Sequence, residues 1–291
     1  MFLNKSKIKA GIQRAVFAGT RGQLLNYATW LYDVPTVYPS KGPGRFIKVN
    51  PGDVYIVSYP RSGNTWLRFL VANMAHPHLD IDYGNIENVV PDIYVTSEVH
   101  LRKMSHPRIL KSHESFDPRY KKVVYIVRDP LDVALSLFAT LKRVNKDFDV
   151  SLSNFVTRHI EGEFDAWFGS WDQHVNSWIH HQNIGKDLHL IRYEELTRNP
   201  VRVLSDLAEF LGYSQDEEVI ERAIARSSRD AMTVLYQSTS ERLQLKIGVN
   251  NSGFLVPNKK SIVEIEKEED LLRLKEFFAP TMRRLGYLAD E

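Results

Sequence analysis

Three short clusters in the chain carry residue types that can hold an anion or move a proton. Arg61, Ser62, Gly63, Asn64 and Thr65 stand together, followed by Trp66. Lys111 and His113 stand two apart, and Arg128 precedes Ser136 by eight positions. The first cluster suits an anion, because the first N–H groups of a helix lack intrahelical partners and its N-terminus is electropositive. Arg61 adds a full charge, Ser62 and Thr65 add hydroxyls, and Gly63 lets backbone approach a ligand closely. Phosphate or sulfate fits such a cradle. The competing reading is a tight strand-to-helix connection with an exposed arginine. A Walker A loop is excluded, since G-x-x-x-x-G-K-[ST] would need glycine and lysine where Ser58 and Asn64 stand.

The elements that must position these groups show in the changing hydrophobic period. Asp53 to Tyr59 is a short apolar run, predicting a buried strand, and from Thr65 onward Trp66, Phe69, Leu70 and Asn73 fall at helical spacing. Pro60 to Asn64 is therefore the turn between them. Arg108 to Lys111 predicts a second short strand, ending at His113. A lone histidine is usually structural or exposed, but this one stands just past a strand end, where open α/β sheets bind ligands. Lys121 to Val127 predicts a third strand running into Arg128, with Asp129 as helix cap, Pro130 at the first helical position and Asp132 at the positive end. An ion pair from Arg128 to Asp129 or Asp132 is the competing reading of that arginine. Leu188 to Tyr193 predicts a fourth strand, and Pro200 opens a helix that Gly212 terminates. A final helix is expected from about Ile265 to Phe278.

Composition narrows the class. The chain has 291 residues, a formal charge of +2 and no cysteine. That length suits one large α/β domain. The small net charge gives no argument for nucleic acid, and the absence of cysteine removes disulfides, thiolate metal sites and a thiol nucleophile. No apolar run approaches the roughly 20 residues of a membrane span. His174, His180 and His181 form no metal-binding spacing, so no metal is assigned. The expectation is a soluble, cytoplasmic protein with a single P-loop-like α/β domain over residues 51–291, its central parallel sheet flanked by helices. Residues 1–50 form a basic extension: Lys5, Lys7, Lys9, Arg14 and Arg21 come before the first acidic residue, Asp33. Such an arm either packs on the domain or lies against an anionic membrane. Trp167, Phe168, Trp171 and Trp178 either line a pocket or fill the core, and Gln237 to Lys260 is expected to be a lid or a surface loop.

Three strand ends thus deliver cations to one sheet edge: Arg61, then Lys111 with His113, then Arg128 with Ser136. This suits a ligand with two separated anionic groups and one proton transfer. At these residues the sequence resembles the cytosolic-type sulfotransferase family, which uses 3′-phosphoadenosine 5′-phosphosulfate (PAPS) and releases 3′-phosphoadenosine 5′-phosphate (PAP). SYPRSGNTWLR is similar to its 5′-phosphosulfate loop, VVYIVRDPLDVALS to its 3′-phosphate motif, KSH to the strand end with the catalytic histidine, and GSWDQHVNSW and LIRYEELTRNP to its later landmarks.

The resemblance implies His113 as general base, Lys111 as a second cation on the transferring group, and Arg61 where the family usually has lysine. It implies Ser62, Gly63, Asn64 and Thr65 around the 5′-phosphate, Trp66 stacked on adenine, and Arg128 and Ser136 on the 3′-phosphate. Tyr193 would lie near the nucleoside and Ser227 near adenine, while Lys246 and Gly248 would stand for a degenerate R-K-G-x-x-G signature. The implied acceptor is a small molecule, glycan or lipid carrying a hydroxyl. The alternatives are a P-loop kinase acting on a small molecule and a PAP-binding module without catalysis.

Overall fold

The computed structural model describes residues 47–145, 148–165, 167–180, 186–247 and 268–289. Most of the basic extension, residues 1–46, lies outside them. Four strands form the sheet among these residues: β1 (Val54–Val57), β2 (Ile109–Ser112), β3 (Lys122–Val127) and β4 (Leu188–Arg192). Their order is β2-β1-β3-β4 and every pairing is parallel. The register sets Val57 beside both Ser112 and Tyr125, and Val127 beside Arg192. All four carboxyl ends therefore open on one edge.

Both faces of this sheet are covered, which explains why its strands are apolar throughout instead of alternating with polar residues. Tyr55, Val57, Val123, Tyr125 and Val127 face one core, while Val54, Ile56, Val124 and Ile126 face the other. Helix α1 (Asn64–Ala75) packs Leu67, Leu70 and Val71 into the second core. After the short helix α2 (Glu98–Lys103) comes α3 (Pro130–Val144), which packs Val133 and Phe138 into the first. Neighbouring strands β1 and β3 thus send their helices to opposite faces, and the crevice between two such loops is where open α/β sheets take ligands.

Local chemistry sets the helix ends as the sequence predicts. Asp129 caps α3 by accepting from the Leu131 amide at 2.8 Å, with Pro130 at the first position. Helices α4 (Leu152–Ile160) and α5 (Trp171–Ile179) follow, and Trp171 and Trp178 of α5 are fully buried core residues. Of the two readings offered for these tryptophans, the core one holds. Beyond β4 come α6 (Tyr193–Arg198) and α7 (Pro200–Leu211), the latter ending at Gly212 in the left-handed conformation, φ 79°. Helices α8 (Glu217–Arg226) and α9 (Arg229–Ile247) complete the second face, and α10 (Glu268–Arg284) returns to the first.

Helix α9 corrects one expectation: Gln237 to Ile247 is helical instead of a loop. Between Arg229 and Thr239 its sequence lacks an apolar stripe because few of these side chains meet the core. Met232 is buried, Leu235 packs beside it and Val234 is exposed. The remainder of the expected loop lies outside the described residues.

A buried ion pair fixes the entrance to β1 and β2. Asp53 and Arg108 carry side chains that are 0% and 1% exposed, and Arg108 also donates to the carbonyls of Leu101 and Lys48 at 2.8 Å. Removing one partner would leave the other charge buried and uncompensated. Arg108→Ala is therefore expected to cost about 3–5 kcal/mol, to be read as a fall in the denaturant midpoint. A loss below about 1 kcal/mol, the worth of an exposed pair, would contradict this.

Candidate active site

The turn between β1 and α1 is built around a glycine that no other residue can replace without strain. Gly63 is the N-cap of α1 with φ 97° and supplies no capping side chain. A Cβ there would sit 2.5 Å from Cδ2 and 2.8 Å from Cε2 of Tyr193, well inside contact distance. The Tyr193 ring comes from the start of α6, so the end of β4 presses directly on the loop from β1. The same ring carries the Arg128 guanidinium at 4.5 Å from its centroid and meets the edge of Trp66 at 5.6 Å. Arg61 adopts φ 71°, unusual for a side chain that is not glycine. Its carbonyl accepts from Arg128 at 3.3 Å, and its own Nε donates to the Ser136 hydroxyl at 3.1 Å.

Arg61, Gly63, Arg128, Ser136, Tyr193 and Trp66 are thereby joined in one connected group, drawn from three strand ends. Ser227 belongs to it as well, since the Trp66 indole N–H donates to its carbonyl at 2.9 Å and Asn73 donates to its hydroxyl at 3.1 Å. Arg128 also meets Asp132 at 3.3 Å, so the ion pair weighed from sequence exists alongside the other contacts. The Ser62 hydroxyl, Asn64 Oδ1 and Arg128 Nε are all buried and lack a hydrogen-bond partner. Leaving such groups unpaired costs free energy, and two of the three can donate to a phosphate or sulfate oxygen. Thr65 is half-buried in the first turn of α1.

The histidine stands beside this group and is bonded to the same loop. His113 is 4% exposed and its Nδ1 lies 2.7 Å from the Ser58 carbonyl oxygen. A carbonyl only accepts, so Nδ1 carries the proton and the lone pair stands on Nε2, the form a base requires. The backbone amide of His113 donates to the Tyr94 hydroxyl at 3.0 Å, and its carbonyl lies 3.0 Å from His174 Nε2. Burial and the nearby Lys111 charge push the His113 imidazole down to about 3. Phe168 and Tyr94 enclose it, with ring centroids 5.7 and 6.2 Å away.

Lys111, at the same strand end, is held by a carboxylate. Its ammonium is 4% exposed and forms a buried pair with Asp92, while the strand alternation that carries it sets it beside Ile56 in register. The pair continues into Arg68, which bridges to Glu87 at 2.7 Å and whose charge helps hold the Asp92 carboxyl low against the opposing effect of burial. The loop around Asp92, which supplies no motif of its own, was not found by sequence reasoning. Lys246 falls in the last turn of α9, and Gly248 lies outside the described residues. Among the described residues no cluster of three or more His, Asp or Glu side chains could hold a metal ion, and no helix is long and apolar enough to cross a membrane.

Fold and site together define a P-loop-like α/β domain whose carboxyl edge is shaped for an anionic ligand. A family model described as a sulfotransferase domain matches residues 51–267, and the chain belongs to that family. Sulfotransferase 1B1 of Mus musculus is 30% identical over 200 residues, covering 62% of this chain and 66% of that protein. Sulfotransferase 1E1 of Bos taurus is 30% identical over 202 residues, covering 64% and 67%. The aligned part thus spans about two thirds of the length of these relatives. Among solved structures, mouse sulfotransferase SULT7A1 complexed with PAP superposes with a TM-score of 0.59 at 22% identity, over 83% of this chain and 87% of that one. Retinol dehydratase in complex with androsterone and inactive cofactor PAP gives 0.61 at 18%, over 81% and 82%. The shared fold is the content of these two likenesses.

Two outcomes follow from the geometry. Gly63→Ala is expected to lower the thermal midpoint, through both the positive φ and the clash with Tyr193. Adding Tyr193→Ala should recover part of that loss, and strict additivity of the two changes would refute the contact. Acid is expected to destabilise the fold, because burial holds His113 and His174 neutral, at about 3 and about 4 against an ordinary value of 6.5. The unfolded chain therefore binds more protons as the pH falls below about 6.5, and stability is lost toward pH 3. Denaturant midpoints measured between pH 7 and pH 4 test this, and a flat profile would contradict it.

Proposed function

We propose that the protein transfers a sulfuryl group from PAPS to the hydroxyl of a small-molecule acceptor, with residues 51–291 as the catalytic domain. The observation that carries this reading is the bond from His113 Nδ1 to the carbonyl of Ser58, which ties a base to the loop that would hold the donor. PAPS supplies an activated sulfuryl group on a phosphate leaving group. Ser62, Asn64, Thr65 and the first N–H groups of α1 hold its 5′-phosphate end, and Arg128 with Ser136 holds its 3′-phosphate. Trp66, Tyr193 and Ser227 form the adenine side. His113 takes the acceptor hydroxyl proton on Nε2, making the oxygen a competent nucleophile. Arg61 stabilises the charge that builds on the leaving oxygen.

Lys111 contributes to the electrostatics through its pair with Asp92, which keeps a positive charge near His113 without a net burial of charge. That nearby cation also favours the neutral imidazole. Lys246 and Gly248 remain assigned to the cofactor loop from the resemblance. The reading assigns the protein to the cytoplasm, in keeping with a chain that has no cysteine to oxidise. Residues 1–50 are assigned as a basic extension packed on the domain, with peripheral contact to an anionic membrane as the alternative.

Calorimetric titration with PAP tests the donor site. Tight binding without magnesium is expected, weakened about 10- to 100-fold in Arg128→Ala by the loss of a charge-assisted phosphate contact. His113→Ala should bind PAP as the unaltered protein does, yet lose sulfuryl transfer by about 10²- to 10⁴-fold, followed with labelled PAPS and a panel of phenols and alcohols. Preference for ATP with magnesium over PAP would overturn the reading.

A further inference from the structure

His174 is a fully buried titratable residue that the proposed chemistry does not use. It lies on α5, 61 positions from His113, and is 0% exposed. Both ring nitrogens are committed. Nε2 stands 3.0 Å from the His113 carbonyl and Nδ1 stands 2.8 Å from the Tyr125 hydroxyl. The carbonyl only accepts, so Nε2 carries the proton; Nδ1 then holds the lone pair and accepts from Tyr125. One tautomer satisfies both bonds, and protonation would break the second.

The consequence reaches the base through its backbone. His113 follows β2 directly, outside the strand ladder that ends at Ser112. The bonds that fix it include its ring to the Ser58 carbonyl, with the Ser58 hydroxyl 3.3 Å from the same nitrogen, its amide to the Tyr94 hydroxyl and its carbonyl to His174. The next residue is held too, since Trp178 of α5 donates to the Glu114 carbonyl at 2.9 Å. Helix α5 thereby fixes the peptide on the carboxyl side of His113, as the Ser58 carbonyl fixes the ring. A ring aimed by only one of these could rotate about χ1 and give up the bond that selects its tautomer.

We infer that His174 is a positioning residue for sulfuryl transfer: its Nε2–H anchors the His113 carbonyl, which keeps the His113 ring donating to Ser58 and presenting Nε2 to the acceptor. This rests on His113 being the base. The groups facing His174 are Tyr125 and His113, with the Tyr59 ring edge at 5.7 Å. Those acting on His113 are Lys111, Asp92 and His174 itself. His174 is buried and neutral, so it changes the reaction through geometry and not through charge.

The test reads the His113 tautomer and the rate separately. Long-range ¹⁵N–¹H spectra of the imidazoles, assigned by comparison with His113→Gln, should show His113 protonated at Nδ1 in the unaltered protein. His174→Leu is expected to give a mixture of tautomers and a kcat lower on the order of 10- to 100-fold, with PAP affinity and the KM for PAPS unchanged. His174→Gln, whose amide can donate from the position of Nε2, should restore the Nδ1–H tautomer and most of the rate; a purely space-filling role would not distinguish Gln from Leu. If His174→Leu fails to fold, Tyr125→Phe decides, since it removes the hydroxyl that holds His174 while keeping the ring. A Tyr125→Phe or folded His174→Leu protein with the unaltered tautomer and rate would overturn the inference. Because the spectra need no ligand, failure of PAP to bind would count against the sulfotransferase reading and leave this result standing on its own.

Discussion

The packing of the Tyr193 ring against Gly63 is the contact on which the site depends. It brings the end of β4 to the loop after β1, and Arg128 from the end of β3 lies on the same ring. A side chain at position 63 would force these three strand ends apart, because its Cβ would fall 2.5 Å from the ring. The glycine is required twice, once by its backbone angle and once by the approach of the tyrosine. The two loops are tied together further, since the Arg61 carbonyl accepts from Arg128 while the Arg61 side chain reaches Ser136.

Burial decides which cations can serve a ligand. Arg61 and Arg128 are half-buried, and Arg128 keeps an orphaned Nε in the site. Lys111 and Arg108 are almost wholly buried, and each is matched by a carboxylate, Asp92 and Asp53. An isolated charge at such depth would cost several kcal/mol, and the matching carboxylates offset that cost. One pair holds the strand entrance and the other holds the loop beside the base. The half-buried arginines, by contrast, can exchange water for a ligand oxygen at small cost.

Much of this architecture could be read from sequence, and the reasons for the failures are physical. The four strands and the turns after β1 and β3 were readable because a strand with two buried faces is apolar at every position, and the period then changes at a polar turn. Helix α9 was not, since between Arg229 and Thr239 it buries only Met232 and Thr239 and so carries no apolar stripe. The buried pairing of Lys111 was not readable, because spacing gives only the strand end and the partner Asp92 comes from an irregular loop 19 residues earlier. His174 was weighed only as a metal ligand and set aside. Its bond to a backbone carbonyl leaves no trace in side-chain spacing, and only the packing of α5 on the end of β2 reveals it.

Arginine at position 61 changes what the loop can do on the proposed reaction. A lysine there could pass a proton to the bridging oxygen, whereas a guanidinium stays charged and offers a planar fork of donors. Leaving-group stabilisation must then come from charge and hydrogen bonding alone, which suits a phosphate that departs as an anion. The bond from Arg61 Nε to Ser136 turns part of that fork toward the 3′-phosphate side. It also gives a reason for the left-handed backbone at Arg61, which costs about 1–2 kcal/mol for a side-chain-bearing residue. That strain is offset where the turned peptide directs the Arg61 carbonyl to Arg128 and its guanidinium to Ser136. A single strained residue thus couples the loop after β1 to Arg128 and Ser136 of the next unit, so that on the proposed reading whatever orders one phosphate subsite also orders the other.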